Sequence, residues 1–186
     1  MLYEPHAYQE YFTDKIIELP AVGGFLEMGL GKSVSTLTAI TELMHNYFDV
    51  AKVLIIAPLR VAKFTWEEEI AKWDHTSYLR LSKVLGSQKQ RIAALNKRAD
   101  IYVINRENVQ WLVRYYGAKW PFDMVVLDES SSFTPNEVEV SCFSTVEGLI
   151  SIALILSRLD KPSLEENPSS VAQVPCPGLT STAMTS

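Results

Sequence analysis

The residues whose types and spacing could do chemistry fall in two clusters. The first is Gly24-Phe25-Leu26-Glu27-Met28-Gly29-Leu30-Gly31-Lys32-Ser33, which closes an apolar run and opens an amphipathic stretch. A strand-to-helix turn is the context that a phosphate-binding loop requires. Gly29 and Gly31 let the backbone on either side of Leu30 turn tightly, so that its N–H groups and the helix N-terminus point at β- and γ-phosphates. Lys32 would neutralise those phosphates, and the Ser33 hydroxyl would hold Mg²⁺. The strict pattern asks for glycine six residues before the lysine, where this chain has Leu26. On spacing alone, a glycine-rich turn that binds nothing is the alternative.

The second cluster is Val125-Val126-Leu127-Asp128-Glu129, an acidic pair at the end of an apolar run. This is the form of a Walker B site: Asp128 supplies a carboxylate for Mg²⁺, and Glu129 orients or deprotonates the attacking water. Alone, such a pair is commonly a solvated strand end. Together with Lys32 and Ser33 it supplies the other half of one metal and phosphate site, in the right order. A ligand with β- and γ-phosphates and Mg²⁺ are therefore the expected occupants, with Lys32, Asp128 and Glu129 as the catalytic candidates.

Elements able to position these groups can be read from hydrophobic periodicity. Short β-branched runs alternate with longer amphipathic stretches between Val22 and Asp128, the signature of repeated βαβ units. Strands are expected near Val22–Leu26, Val53–Ala57, Leu79–Leu85, Ile101–Ile104 and Met124–Leu127. Helices are expected at Lys32–Asn46, Thr65–Trp73, Gln88–Lys97 and Glu107–Tyr115. The fold class is α/β, a parallel sheet flanked by helices on both faces. Right-handed crossovers would gather the strand C-terminal ends on one functional edge.

The run Phe25-Leu26-Glu27-Met28-Gly29-Leu30-Gly31-Lys32-Ser33 closely resembles motif I of the Swi/Snf branch of the superfamily-two helicases, in which Glu/Asp-Met-Gly-Leu-Gly-Lys-Thr/Ser replaces the stricter loop. The resemblance implies an N-terminal RecA-like P-loop lobe of a DNA-translocating ATPase, and it extends over about Tyr3 to Phe133. Asp128-Glu129-Ser130-Ser131 resembles the form of motif II in phage and bacterial relatives, with Ser131 where others have His. Tyr8-Gln9 is similar to the segment whose Gln reads the adenine edge, with Tyr3 near the base; a plain surface Gln is the alternative. Ile55-Ile56-Ala57-Pro58-Leu59, followed by Trp66, Glu69 and Trp73, is similar to motif Ia, although the two Trp are better read as core-facing helix residues. Val103-Ile104-Asn105-Arg106-Glu107-Asn108 resembles the next strand-end motif, with Asn105 also placed to cap the following helix. Arg60, Lys63 and Arg106 are the cations best placed for a DNA backbone. The resemblance makes DNA the expected partner, along with a second RecA-like lobe that supplies arginine fingers.

Composition limits the alternatives. The formal net charge of -5 gives no argument for nucleic-acid binding by the whole chain, although a local basic face could still contact phosphates. Cys142 and Cys176 have no CxxC partner, and His6, His45 and His75 show no ligand spacing. Free thiols, the absence of a secretory signal at the start and a longest apolar run of Leu149–Leu156 make a cytoplasmic location the expectation, with no membrane span. After Phe133 the composition shifts, with Phe143 the one aromatic residue and a Ser/Thr/Pro-rich end. The expected division is a lobe at 1–133 and a divergent, partly disordered tail at 134–186. The echo of a Leu-Thr-Gly-Thr-Pro motif at Leu179-Thr180-Ser181-Thr182-Ala183 is taken as chance. A truncated lobe with an altered tail, with little turnover of its own, is the leading expectation. Its rivals are a non-enzymatic nucleic-acid- or partner-binding remnant, and a poorly folded one with an exposed sheet edge.

Overall fold

The computed structural model describes residues 1–26, 29–128, 151–157 and 172–174. In chain order the elements are α1 (Ala7–Glu18), β1 (Ala21–Leu26), α2 (Lys32–His45), β2 (Val53–Ala57), a π-helical turn Val61–Thr65 leading into α3 (Trp66–Lys72), and β3 (Leu81–Val84). There follow α4 (Gln88–Leu95), β4 (Ile101–Asn105), a 3-10 turn Arg106–Asn108, α5 (Val109–Tyr116), β5 (Met124–Asp128), β6 (Ser151–Ser157) and β7 (Ala172–Val174). Among the described residues these strands form one parallel sheet in the order β3-β4-β2-β5-β6-β1-β7. The five expected strands and four expected helices are all present, with ends moved by a few residues.

Strand alternation sorts the core into two layers. Val53, Ile55 and Ala57, with Ile101, Val103, Met124 and Val126, face one side, where Phe12 and Ile16 of α1, Leu37 and Ile40 of α2 and Trp66 and Ile70 of α3 cover them. Leu54 and Ile56, with Tyr102, Ile104, Val125 and Leu127, face the other side, under Ala94 and Leu95 of α4 and Val109 and Leu112 of α5. The central strands are buried on both faces, which is why they read as continuous apolar runs. The helices begin where local chemistry starts them. At α4, the Ser87 hydroxyl accepts from Gln90 N–H while Gln90 Oε1 accepts from Ser87 N–H, a reciprocal cap.

Three elements lie outside the expected set. Helix α1 buries Gln9, Phe12, Thr13 and Ile16, a helical spacing whose two polar members hide it from an apolar count. Its Phe12 lies so close to β1 that a Cβ added at Gly24 would meet the ring at 2.5 Å. Strand β6 comes from beyond the composition break and pairs with β5 on one side and β1 on the other, so the sheet does not end at Phe133. Strand β7 adds three residues to the outer side of β1.

Candidate functional site

The loop after β1 is shaped by backbone that favours glycine. Gly29 has φ of 83° and Gly31 has φ of 74°, and Gly31 is the N-cap of α2, so the first turn of a 14-residue helix opens onto the loop. From the first position of that helix Lys32 Nζ reaches back to donate to Leu26 O at 2.9 Å, across the span of the loop. The ammonium is thus held inside the turn it would serve, on a carbonyl that a phosphate oxygen could replace. Ser33 follows in the same helical turn, half-buried.

Gln9 holds the loop from the other side. Its Nε2 donates to Leu30 O at 3.1 Å, and its Oε1 accepts from His6 N–H at 2.9 Å, so one amide closes the start of α1 and clasps the loop after β1. A Cβ on Gly31 would fall on Gln9 Nε2, so glycine is needed there for space as well as for φ. The Gln9 side chain is buried, with one N–H and one oxygen lone pair left for a further planar partner. Next to it, Thr13 Oγ1 donates to Ser35 O at 3.2 Å, tying α1 to α2.

A cavity of about 680 Å³ opens between the N-terminal segment, the loop and the end of α3. Gln9, Gly29, Gly31, Lys32 and Ser33 line it, and so do the aromatic rings of Tyr3, His6, Tyr8 and Trp73. Leu30 contributes through its carbonyl bond to Gln9. Tyr3 stacks on His75 at 5.2 Å between centroids and meets Trp73 edge-on at 5.3 Å. Burial pushes the Tyr3 phenol up against the opposing effect of its contact with Ser35. Burial also holds the His75 imidazole below its ordinary value, outweighing the nearby carboxylates of Asp74 and Glu42, while its Nε2 lies 2.9 Å from Thr38 Oγ1. The Met1 ammonium anchors this wall through Lys72 O and Asp74 Oδ1.

Asp128 lies apart from this cavity. It ends β5, in register with Ile155 of β6, which in turn pairs with Gly24 of β1. One strand therefore separates it from β1, about 10 Å at the usual spacing. Its carboxylate is buried and accepts from Trp66 Nε1 at 3.0 Å. Glu129, the expected partner of the attacking water, lies outside the described residues, as do Ser130 and Ser131.

Other expectations meet mixed outcomes. Trp66 is a core residue, as the helical spacing suggests. Trp73 is not: it falls just past the end of α3 in extended backbone, lines the cavity and donates from Nε1 to Glu69 Oε2 at 3.1 Å. The Asn105 side chain does not cap the next turn; it donates to the Glu107 carboxylate and accepts from Asn108 Nδ2 at 2.5 Å. Arg60 and Lys63 are exposed beside the end of β2, and Arg106 is half-buried. The aromatic wall is only partly legible in the sequence: His6 carries no motif, and Trp73 reads there as a core-facing helix residue. Among the described residues no group of three or more His, Cys, Asp or Glu could hold a metal ion, and no helix is long and apolar enough to cross a membrane.

Comparison with known proteins agrees with this architecture. The model of the SNF2-related domain matches residues 18–151. Putative protein p41 of Acyrthosiphon pisum secondary endosymbiont phage 1 is 36% identical over 130 residues, covering 69% of this chain and 28% of that protein. Among solved structures, the Sulfolobus solfataricus SWI2/SNF2 ATPase core in complex with dsDNA superposes with a TM-score of 0.60 at 22% identity, over 87% of this chain and 34% of that one. The Pyrococcus furiosus Hef helicase domain gives 0.66 at 20% identity over 86% and 34%, and the UvsW helicase of bacteriophage T4 gives 0.59 at 20% over 84% and 53%. These likenesses establish the fold. The chain spans 28% of the length of the phage relative and between 34% and 53% of the structural neighbours.

Proposed function

The chain belongs to the SNF2-related domain family, and on that footing we propose that it is the ATP·Mg²⁺-binding lobe of a helicase-type, DNA-dependent ATPase. The observation that carries the reading is the clasped loop: Gly29 and Gly31 in left-handed backbone, Lys32 folded back onto Leu26 O, and Gln9 holding Leu30 at the rim of an aromatic-walled cavity. Triphosphate oxygens would take the loop N–H groups and the Lys32 ammonium. The purine would lie among Tyr3, Tyr8 and Trp73, with the remaining hydrogen-bonding capacity of Gln9 facing its edge.

The donor set suits Mg²⁺, which binds through one or two protein oxygens together with substrate phosphates and waters and needs no dedicated cage. Ser33 and Asp128 are the residues that would hold it, Asp128 keeping one carboxylate oxygen on the Trp66 indole. When bound, the ion neutralises charge on the phosphates during transfer. Glu129 is proposed for the water, and DNA as the partner that stimulates hydrolysis. The proposed division of the chain is a lobe at 1–133 followed by a divergent tail at 134–186, whose Ser151–Ser157 strand joins the sheet of the lobe.

Base selectivity tests the assignment. A fluorescent ATP analogue titrated with Mg²⁺ should be displaced by ATP well below the GTP concentration needed, and Gln9→Ala should erode that preference. Equal displacement by ATP and GTP, unchanged in Gln9→Ala, would remove Gln9 and the aromatic wall from the base site.

A further inference from the structure

Charge along this chain is strongly uneven. The whole sequence has 17 Lys and Arg against 22 Asp and Glu, yet between Gly86 and Trp120 there are seven basic residues against two acids, Asp100 and Glu107. That segment forms α4, β4 and α5, and its helices are the outer layer on the sheet face opposite α1, α2 and α3. Lys89, Lys97 and Arg98 on or just after α4, and Arg114 and Lys119 on or just after α5, are all exposed. The ion pairs among the described residues engage none of these five, nor the exposed Lys52, Arg60 and Lys63 elsewhere, while Lys15, Lys72, Arg80 and Lys83 are each paired.

Aromatic rings are interleaved with those cations. The Arg91 guanidinium lies 4.3 Å from the centroid of Trp111, bridging α4 to α5, and also donates to Asn108 Oδ1. Trp111 stacks on Tyr115 one helical turn later, at 5.3 Å and 24°. Tyr115 then meets Tyr116 edge-on at 5.1 Å, and Tyr116 meets Trp120 at 6.3 Å. The inner members of this ladder pack on Phe122, but Tyr115 keeps 43% of its surface exposed. Beyond it, Gly117 has open space where a side chain would be.

We propose that the α4–α5 layer is a binding face for a single-stranded nucleic acid, with Tyr115 as its stacking platform and Arg114, Lys119 and the exposed cations of α4 on the phosphates. The charge asymmetry selects a polyanion, and an exposed ring backed by a stacked Trp–Arg pair suits a base. It selects unpaired strands because a duplex keeps its base faces covered by their neighbours. The face lies across the sheet from the nucleotide cavity, which is built on α1, α2 and α3, and the proposal stands independently of that site.

The test is fluorescence anisotropy of a labelled oligo-dT with the full chain, over a salt series, against a duplex of equal length and heparin as competitors. Binding should be saturable and tighter for the single strand. Arg114→Glu with Lys119→Glu should flatten the plot of log K against log salt by about 1.4, from roughly 0.7 per lost phosphate contact. Tyr115→Ala should weaken binding by about 5- to 160-fold, the range for loss of one stacked base. Each variant should keep the wild-type thermal transition and its affinity for the ATP analogue, so that loss of strand binding cannot be misfolding. Unchanged binding in the charge-reversed variant would overturn the proposal. Equal affinity for duplex or heparin with no effect of Tyr115→Ala would overturn it too, leaving only a generic basic surface.

Discussion

Replacing Gly31 with Ala should disrupt the loop between β1 and α2, and with it the proposed nucleotide binding, for two separable reasons. At φ of 74° the new Cβ sits in left-handed backbone, which costs about 1–2 kcal/mol for an L-residue. The same Cβ would fall on Gln9 Nε2, forcing that buried amide off Leu30 O and losing a hydrogen bond worth about 0.5–1.5 kcal/mol, with an unmet polar group besides. The sum, roughly 2–4 kcal/mol against the binding-ready loop, predicts an affinity for the ATP analogue about 30- to 800-fold weaker. Titrating wild type, Gly31→Ala, Gln9→Ala and the double variant separates the two contributions. Truncating Gln9 removes the collision, so Gly31→Ala should cost less in the Gln9→Ala background, leaving the backbone cost alone. An equal cost in both backgrounds would refute the clasp, and wild-type affinity in Gly31→Ala would refute the loop geometry itself.

Three other perturbations follow from the packing and the titrating groups. Gly24→Ala drives a Cβ into the fully buried Phe12 ring, so it should destabilise the fold by about 1–3 kcal/mol in urea unfolding, and Phe12→Leu in the same chain should recover part of the loss. Trp66→Phe keeps the ring in the core but removes the donor to the buried Asp128 carboxylate, so stability should drop by about 1–3 kcal/mol and the Mg²⁺ dependence of nucleotide binding should change. Burial lowers the His75 imidazole below its ordinary value of 6.5, so its contribution to stability is present above that value and is lost as pH falls below it. Asp100 is held low by its hydrogen bond to Arg80, so its contribution is present above 3.8 and is lost as pH falls further. Thermal melts should therefore decline in two steps on acidification, the upper one absent in His75→Phe and the lower one reduced in Asp100→Asn.

The parts of this molecule that were legible in the sequence are those where one physical demand dominates. Strands such as Val53–Ala57 and Met124–Asp128 are buried on both faces, so their apolar runs declare them. Gly29, Gly31, Lys32 and Ser33 are constrained by backbone and charge together, and the loop stands where their spacing puts it. Helix α1 was hidden because half of its buried stripe is Gln9 and Thr13, which serve the loop and α2 through hydrogen bonds that no hydrophobic count detects. Strand β6 was equally opaque: Ile152 to Leu156 is an apolar run that periodicity alone cannot tell from a short buried helix. Only its pairing between β5 and β1 assigns it. Trp73 defeats helix spacing because α3 ends at Lys72, and the extended backbone that follows puts Trp73 on the cavity instead of in the core. The basic layer escaped because a chain-wide net charge averages it against an acidic remainder.

The central claim, that the loop between β1 and α2 holds ATP·Mg²⁺, is tested most directly by calorimetric titration of ATP with Mg²⁺ into the wild-type chain and into Lys32→Ala. Saturable one-site binding in the wild type, lost in a Lys32→Ala variant with an unchanged thermal transition, is the predicted result. No binding by the folded wild-type chain, or equal binding by both proteins, would contradict it.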